Sequence, residues 1–169
     1  MSKGQPEQTA DGHYIVVDGR RWRASDPSIP ESLRQELVNE LMAARRAVKM
    51  GDEDARSRVS DAKVSLGERG AAWWETPADK DRELRIIATA NSLLRHRGDK
   101  SICPSDIARV VGGDNWRDLM EPVRNAIANE AAADRMRITQ RGRTVEISEA
   151  RGPIRICKGV KFPGSASDV

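Results

Sequence analysis

Apolar residues recur at helical spacing in the first half of the chain. A helix that opens at Ser28 or Pro30 is predicted, with inward positions Leu33, Leu37, Leu41, Ala44 and Val48. Gly51 ends this helix, and Asp52 to Arg69 forms a second one with small apolar residues on one side. The connection between them is short, so the two helices should lie antiparallel as a helical hairpin.

The segment before these helices, "HYIVVDGRRWRA", predicts a β-hairpin because its Asp-Gly pair is a strong two-residue turn signal. The resulting register puts Ile15 opposite Trp22 and Tyr14 opposite Arg23, so Arg23 is expected to stack on Tyr14. Ile15, Val17 and Trp22 share an apolar face. Since an isolated hairpin is marginally stable in water, we expect this face to pack against another element.

The pattern breaks around "GERGAAWWETPADKDRE", where glycines and Pro77 interrupt it and Asp79 can cap a new helix. A domain boundary is therefore predicted near residues 75–79. For the adjacent Trp73 and Trp74, packing against the hairpin is preferred to a stacking platform for bases or a sugar, because large aromatics more often serve cores.

The third helix is predicted from about Lys80 to His96. Its expected inward positions are Leu84, Ile87, Ala88, Asn91 and Leu94.

"ICPSDIARVVGGDNWRDLM" then predicts a short helix, a tight turn and a further helix. Pro104 suits a first helical position, Gly112-Gly113 allows the turn, and Asp114 can act as N-cap. The next helix has an inward stripe made of Trp116, Leu119, Met120, Val123 and Ile127.

After residue 135, apolar and polar residues alternate instead of recurring at helical spacing. Strands are predicted over Met136 to Gln140 and Arg143 to Ile147, around an Arg-Gly turn, and "GPIRIC" adds a short third strand. Three helices followed by a β-hairpin are the order of a winged helix, in which this hairpin is the wing. The predicted fold class is mainly α with small β-hairpins (α+β), a winged helix-turn-helix domain preceded by a β-hairpin plus αα-hairpin module.

Four segments follow from these elements. They are a disordered tail (1–11), the β-hairpin and helical-hairpin module (12–76), the winged-helix domain (77–158) and a second disordered tail (159–169).

Charge is distributed unevenly although the net charge is only +3. Residues 1–76 carry 12 basic and 13 acidic side chains, whereas residues 77–169 carry 17 and 13. Between Arg135 and Lys161, eight basic residues face only Glu146 and Glu149. The basic excess is therefore concentrated in one C-terminal segment.

Cysteine and histidine provide little chemistry. Cys103 and Cys157 are expected to be free thiols, and with His13 and His96 they lack the paired spacing of a zinc site, so no metal or cofactor is expected. No apolar run approaches a membrane span and the N-terminus lacks a signal-peptide pattern. These features predict a cytoplasmic protein without a membrane partner.

The C-terminal part resembles a small bacterial family, domain of unknown function 3253. The resemblance covers roughly residues 80–157 and is carried by Cys-Pro-Ser-acidic-aliphatic-Ala-Arg, Trp-Arg-x-Leu-Met, Ile-Thr-Gln-x-Gly and Arg-Gly-Pro-Ile-Arg. It implies a winged-helix-like fold and brings no activity with it.

The N-terminal part, from "IVVDGRRWRA" to "GERGAAWW", is similar to another uncharacterised bacterial group. Some members of that group carry a Tol-type biopolymer transporter label, which no anchor in this sequence supports. The chain thus resembles a fusion of two modules.

Nucleic-acid binding through the basic wing is the first functional hypothesis, with DNA or RNA as the partner. The residues expected to bind are Arg117, Arg124, Arg135, Arg137, Arg141, Arg143, Arg151 and Arg155. Asn125 is a further candidate for a base contact. The helix after the Gly-Gly turn fits a polyanion poorly, because between Asp114 and Glu130 acids outnumber arginines.

Two alternatives remain open. One is a protein-interaction module, with a protein partner or a homodimer and no nucleic acid. The other is an enzyme that uses Cys103, whose place at a helix N-terminus favours the thiolate. Neither His13 nor His96 is positioned by sequence as its base, so a buried or capping Cys103 is preferred and the chain is expected not to be an enzyme.

Overall fold

The computed structural model describes residues 4–164 of the 169-residue chain. It is a mixed α/β structure with two small antiparallel sheets. The helices are α1 (Glu31–Lys49), α2 (Ala55–Ser65), α3 (Asp79–Arg97), α4 (Pro104–Gly112), a 3-10 helix (Gly113–Leu119) and α5 (Met120–Ala132). The strands are β1 (Glu7–Gln8), β2 (Tyr14–Val17), β3 (Arg20–Arg23), β4 (Met136–Gln140), β5 (Arg143–Thr144) and β6 (Arg155–Lys158).

The first sheet has the order β1-β2-β3. Its β2-β3 hairpin has the predicted register, with Ile15 opposite Trp22 and Tyr14 opposite Arg23. The turn residues adopt the positive φ values that a tight hairpin needs, 50° at Asp18 and 75° at Gly19. Strand β1 pairs with β2, so residues 7 and 8, placed in a disordered tail by the sequence, are part of the sheet.

The predicted stacking of Arg23 on Tyr14 is wrong. Arg21 lies over the Tyr14 ring at 4.6 Å, whereas Arg23 lies over Trp74 at 5.7 Å. Arg23 also donates a hydrogen bond of 2.7 Å to the carbonyl of Gly70. The linker after α2 passes this end of β3 and supplies both partners of Arg23, Gly70 and Trp74. A prediction from the geometry of the hairpin alone does not include these residues.

Trp73 and Trp74 lie in packing contacts, as preferred from the sequence. Trp73 donates its indole N–H to the carbonyl of Ala24 at 2.9 Å. The His13 ring stacks on Trp74 with centroids 3.9 Å apart, and the two indoles meet edge to face at 5.1 Å. These contacts hold the linker against the first sheet.

Helix α1 packs against α2 and α3, and four of its five predicted inward residues are buried, namely Leu33, Leu37, Leu41 and Ala44, while Val48 is half-buried. Helix α2 is shorter than predicted, since it begins at Ala55 and ends at Ser65. A bidentate ion pair links the two helices, with Arg58 donating to Glu40 at 2.8 and 3.1 Å. Because Glu40 is buried, this pair fixes the register of the helical hairpin.

Helix α3 is central and is buried over most of its second half. Ala88, Asn91 and Leu94 point inward as predicted, but Leu84 is 53% exposed and the inward position in that turn belongs to Ile86. The helix contacts α1, α2, α4 and α5. A helix with neighbours on several sides has no single apolar stripe from which its orientation can be read.

Between α4 and α5 the chain forms a 3-10 helix, which the sequence did not predict. Asp114 lies inside this segment and makes no capping hydrogen bond, so its predicted N-cap role is wrong. Helix α5 begins at Met120 instead. The turn at Gly113 is as predicted, because φ is 54° there.

The second sheet has the order β5-β4-β6. Both predicted strands on either side of the Arg141-Gly142 turn are present, although β5 ends at Thr144, and the third strand is β6. Ile102, just before α4, exchanges two backbone hydrogen bonds with Ile156 at 2.9 and 2.8 Å. This bridge ties the start of α4 to the sheet.

Buried residues on both sides of the predicted boundary at 75–79 form one hydrophobic cluster. Leu37 and Leu66 from the N-terminal part belong to it together with Leu93 and Ile127. Phe162, which the sequence placed in a disordered tail, is 4% exposed and belongs to the same cluster.

Candidate nucleic-acid interface

Three predicted arginines lie on backbone segments that come together at the tip of the second sheet. Gln140 is the cross-strand neighbour of Arg143 in β5. Its side-chain amide also donates to the carbonyls of Arg151, at 2.5 Å, and Pro153, at 3.2 Å. Arg141 follows Gln140 directly. The backbones of Arg141, Arg143 and Arg151 therefore lie next to Gln140, and we call these three residues the arginine tip.

The turn that presents the arginine tip is tight. Arg141 and Gly142 both adopt positive φ, 53° and 79°, which is the conformation of a two-residue hairpin turn. All three tip arginines are exposed. Their guanidinium groups are thus free to extend into solvent from a short, hydrogen-bonded loop.

Arg137 and Arg155 lie on the exposed face of the same sheet. Arg137 pairs with Cys157 and Arg155 pairs with Thr139, and directly paired residues share a face. Arg155 donates to the hydroxyl and carbonyl oxygens of Ser101 at 2.8 and 2.9 Å. The side chain of Arg155 is therefore held by the segment before α4, whereas that of Arg137 is not.

Arg135 is neutralised by its neighbour. It donates to both carboxylate oxygens of Glu130, at 2.7 and 2.8 Å. The hydrogen bond to Glu130 raises the pKa of Arg135 above its usual value, and the Coulomb attraction of the same carboxylate adds to this. A bidentate partner of this kind competes with any phosphate, so Arg135 does not join the arginine tip.

The two remaining predicted arginines lie on the other side of the turn from α4. Arg117, in the 3-10 helix, covers the ring of Trp116 at 4.5 Å, and Arg109 of α4 does so at the same distance. Arg124 is half-buried on α5. Arg109 was missed from the sequence, because its approach to Trp116 depends on how the 3-10 helix folds back on α4.

The charge on α5 differs from the predicted picture. Two of the four acids counted between Asp114 and Glu130 belong to the 3-10 helix, and a third, Glu130, is bound to Arg135. Within α5 itself, Glu121 is balanced by Arg124. The repulsion expected between α5 and a phosphate backbone is thus weaker than the number of acids in the sequence implied.

Asn125 faces α3. It lines a cavity of about 310 Å³ together with Asp79, Glu83 and Arg82, which lies 3.6 Å from Asp79. Two carboxylates against one arginine leave the cavity negative, which disfavours a phosphate there.

Ion pairing separates the arginines into two groups. Within residues 4–164, six arginines pair with carboxylates, namely Arg58, Arg82, Arg85, Arg95, Arg97 and Arg135. In the same range Arg137 and the arginine tip form no ion pair. Their charge is available to an external anion.

The cysteines are both free and half-buried. The sulfur of Cys103 accepts a hydrogen bond from the guanidinium of Arg155. The backbone N–H of Cys103 donates to the carboxylate of Asp106 at 3.0 Å, and this hydrogen bond caps the start of α4. The two histidines have other neighbours, since His13 lies on Trp74 and His96 lies beside Glu36. This arrangement supports the preferred capping role of Cys103.

No helix in the part of the chain that the structure describes is long and apolar enough to cross a bilayer. No curated protein matches the sequence. The resemblance predicted for the C-terminal part is confirmed: residues 83–158, from α3 to the end of β6, match the family described as Protein of unknown function (DUF3253).

Proposed function

We propose that residues 79–158 form a winged-helix unit that binds duplex DNA through the arginine tip. The element order supports the fold assignment, because α3, the Ile102 bridge, α4, α5, β4 and β6 follow one another as in winged-helix domains. In this assignment, residues 141–154 are the wing and α5 is the second helix of the helix-turn-helix.

One observation carries the proposal. Gln140 pairs with Arg143 and holds the backbone of Arg151 beside the Arg141 turn, so three exposed arginines without a carboxylate partner among the described residues lie on adjoining backbone segments. Each guanidinium can donate charge-assisted hydrogen bonds to phosphate oxygens, and binding releases counterions from the nucleic acid. The tip is therefore suited to the spaced phosphates of a nucleic-acid backbone.

Duplex DNA fits better than a single strand. Single-strand binding relies on aromatic side chains on which bases stack, and the segment from residue 136 to residue 158 contains no aromatic residue. The aromatic nearest in sequence, Phe162, is buried, and Trp116 is already covered by Arg109 and Arg117. We therefore expect phosphate contacts to supply most of the affinity, with low sequence specificity from the wing itself.

The test is fluorescence anisotropy with a labelled 20-base-pair duplex over a range of salt concentrations. The variant R141A/R143A/R151A removes the tip. The control R46A/K49A/R56A removes the same charge from exposed positions at the connected ends of α1 and α2. The salt slope is the slope of the logarithm of the binding constant against the logarithm of the salt concentration. Tip removal should reduce its magnitude by about one per arginine, whereas the control variant should retain most of the binding.

Two results would refute the proposal. One is the absence of binding by the wild-type protein at low salt. The other is equal loss in the tip and control variants, which would mean that net charge rather than the arginine tip attracts the duplex. A single-stranded RNA of the same length serves as the comparison, and tighter binding of RNA than of duplex would also contradict the proposed ligand.

A further inference from the structure

A groove separates the apolar face of the β2-β3 hairpin from α1 and α2. Its volume is about 560 Å³, and Ile15, Val38 and Leu41 contribute to its apolar lining. The sequence predicted that this hairpin face packs against another element. In the structure this face is separated from α1 and α2 by the open groove.

Three large apolar side chains at this groove remain accessible to water. Val17 is 41% exposed, Trp22 46% and Met42 39%. These are three of the six large apolar residues that are exposed among residues 4–164. Their clustering around one groove is typical of a surface that a partner covers.

The rim of the groove is positive. Arg20, Arg45 and Lys63 line it, with Asp18 and Glu68 as the acids. Glu68 accepts a hydrogen bond from Ser25 at 2.7 Å, so part of its acceptor capacity is used within the chain. None of the three cations forms an ion pair within the described residues.

The cations also crowd one another. Burial lowers the pKa of Lys63, and repulsion from Arg69 and Arg45 lowers it further. Arg20 and Lys63 lie 5.3 and 5.9 Å from the centre of the Trp22 ring. A carboxylate that enters the groove would relieve this repulsion, whereas a nucleobase would compete with cations already placed against the indole.

We propose that this groove binds an acidic segment of a partner protein, which inserts aliphatic side chains between the hairpin and α1 and pairs its carboxylates with Arg20, Arg45 and Lys63. The aliphatic lining matches such side chains, and the volume lies in the range of ligand cavities, ~300–1,000 Å³. Apolar anchors with complementary charges at the edge are the usual basis of peptide recognition in grooves. The inference is independent of DNA binding by the arginine tip.

The first experiment is phage display of a random 12-residue peptide library on the full-length protein, with R45E as the counter-selection target. Enriched peptides should combine at least two acidic residues with aliphatic or aromatic residues. No enrichment over the counter-selected background, or enrichment of peptides without an acidic bias, would overturn the proposal.

The second experiment measures the most enriched peptide, made synthetically, by isothermal titration calorimetry. R45E and R46E form a matched pair, because both residues are exposed on α1 and adjacent, but only Arg45 lines the groove. We expect R45E to bind at least tenfold more weakly and R46E to bind within twofold of wild type. Circular dichroism on both variants confirms that they are folded, and equal binding by the two would refute the proposal.

A third measurement addresses the other occupants of such a groove. Sedimentation velocity of the wild type and of M42E reports whether a second copy covers the apolar residues. A wild-type dimer that M42E abolishes would overturn the proposal in favour of self-association. Duplex DNA binding that is lost in R45E but not in R46E would overturn it in favour of nucleic acid.

Discussion

Arg85 donates a hydrogen bond of 3.0 Å to Asp26 across 59 positions of sequence, and the two side chains are only 15% and 7% exposed. The same guanidinium donates to the carbonyls of Ser65 at the end of α2, at 3.2 Å, and Val110 in α4, at 3.4 Å. One side chain of α3 thus joins the N-terminal module to the helix that precedes the Gly-Gly turn. This contact gives a physical reason why the two modules share one core.

Asp26→Ala should therefore be strongly destabilising. It leaves the largely buried Arg85 charge without its carboxylate, and losing one partner of a buried pair costs about 3–5 kcal/mol. Urea denaturation measures the change in the free energy of unfolding. Asp79→Ala is the control, because Asp79 is exposed and lies 3.6 Å from Arg82 in a surface pair. If Asp26→Ala lowers the free energy of unfolding no more than Asp79→Ala does, the carbonyls of Ser65 and Val110 alone are sufficient partners for Arg85.

Gly113→Ala should destabilise more than Gly142→Ala. Both glycines have positive φ, 54° and 79°, and ψ of −127° at Gly113 lies outside the left-handed α region, so the backbone there strains an alanine as well. A Cβ at residue 113 would meet the side chain of Ser28 at 2.9 Å, while at residue 142 nothing lies within 4 Å. Overpacking adds ~1–3 kcal/mol to the backbone cost at residue 113.

Thermal unfolding of the two glycine variants checks this difference. Repeating Gly113→Ala in a Ser28→Gly background should remove the part of the loss that comes from overpacking, because the atoms that clash are then absent. Equal melting temperatures for the two single variants would show that the N-terminal module does not press on the turn.

Arg143→Ala should weaken DNA binding more than Arg135→Ala. Arg143 belongs to the arginine tip, whereas Arg135 is held by both oxygens of Glu130. Fluorescence anisotropy with the labelled duplex gives both dissociation constants. The expected change in salt slope is about one for Arg143 and close to zero for Arg135. The opposite order would mean that Glu130 releases Arg135 when DNA binds.

Gln140→Ala should weaken DNA binding although it removes no charge. The substitution deletes the amide that holds the carbonyls of Arg151 and Pro153, so Arg151 loses its fixed position. A loss of about fivefold is expected, which corresponds to ~1 kcal/mol for one hydrogen-bonded anchor. Hydrogen exchange of residues 148–153 should also increase. Unchanged exchange together with unchanged affinity would show that the tip forms without Gln140.

Local patterns in the sequence determined most elements of this protein. The Asp-Gly and Arg-Gly pairs predicted both hairpins, and the Ile15 to Trp22 register follows from turn length alone. Helical spacing predicted the buried side of α1. These features depend on residues a few positions apart, whose geometry the backbone fixes.

Tertiary structure decided the features that depend on residues far apart in the chain. Leu84 is exposed because the elements that pack on α3 cover Ile86 in that turn instead, and Arg23 lies over Trp74 because the linker passes β3. Among the eight predicted nucleic-acid-binding arginines, Arg155 is held by Ser101 from a distance of 54 positions. The arginine tip itself exists because Gln140 reaches across 11 positions to the Arg151 carbonyl. Such contacts form only when the chain closes on itself, and no local pattern encodes them.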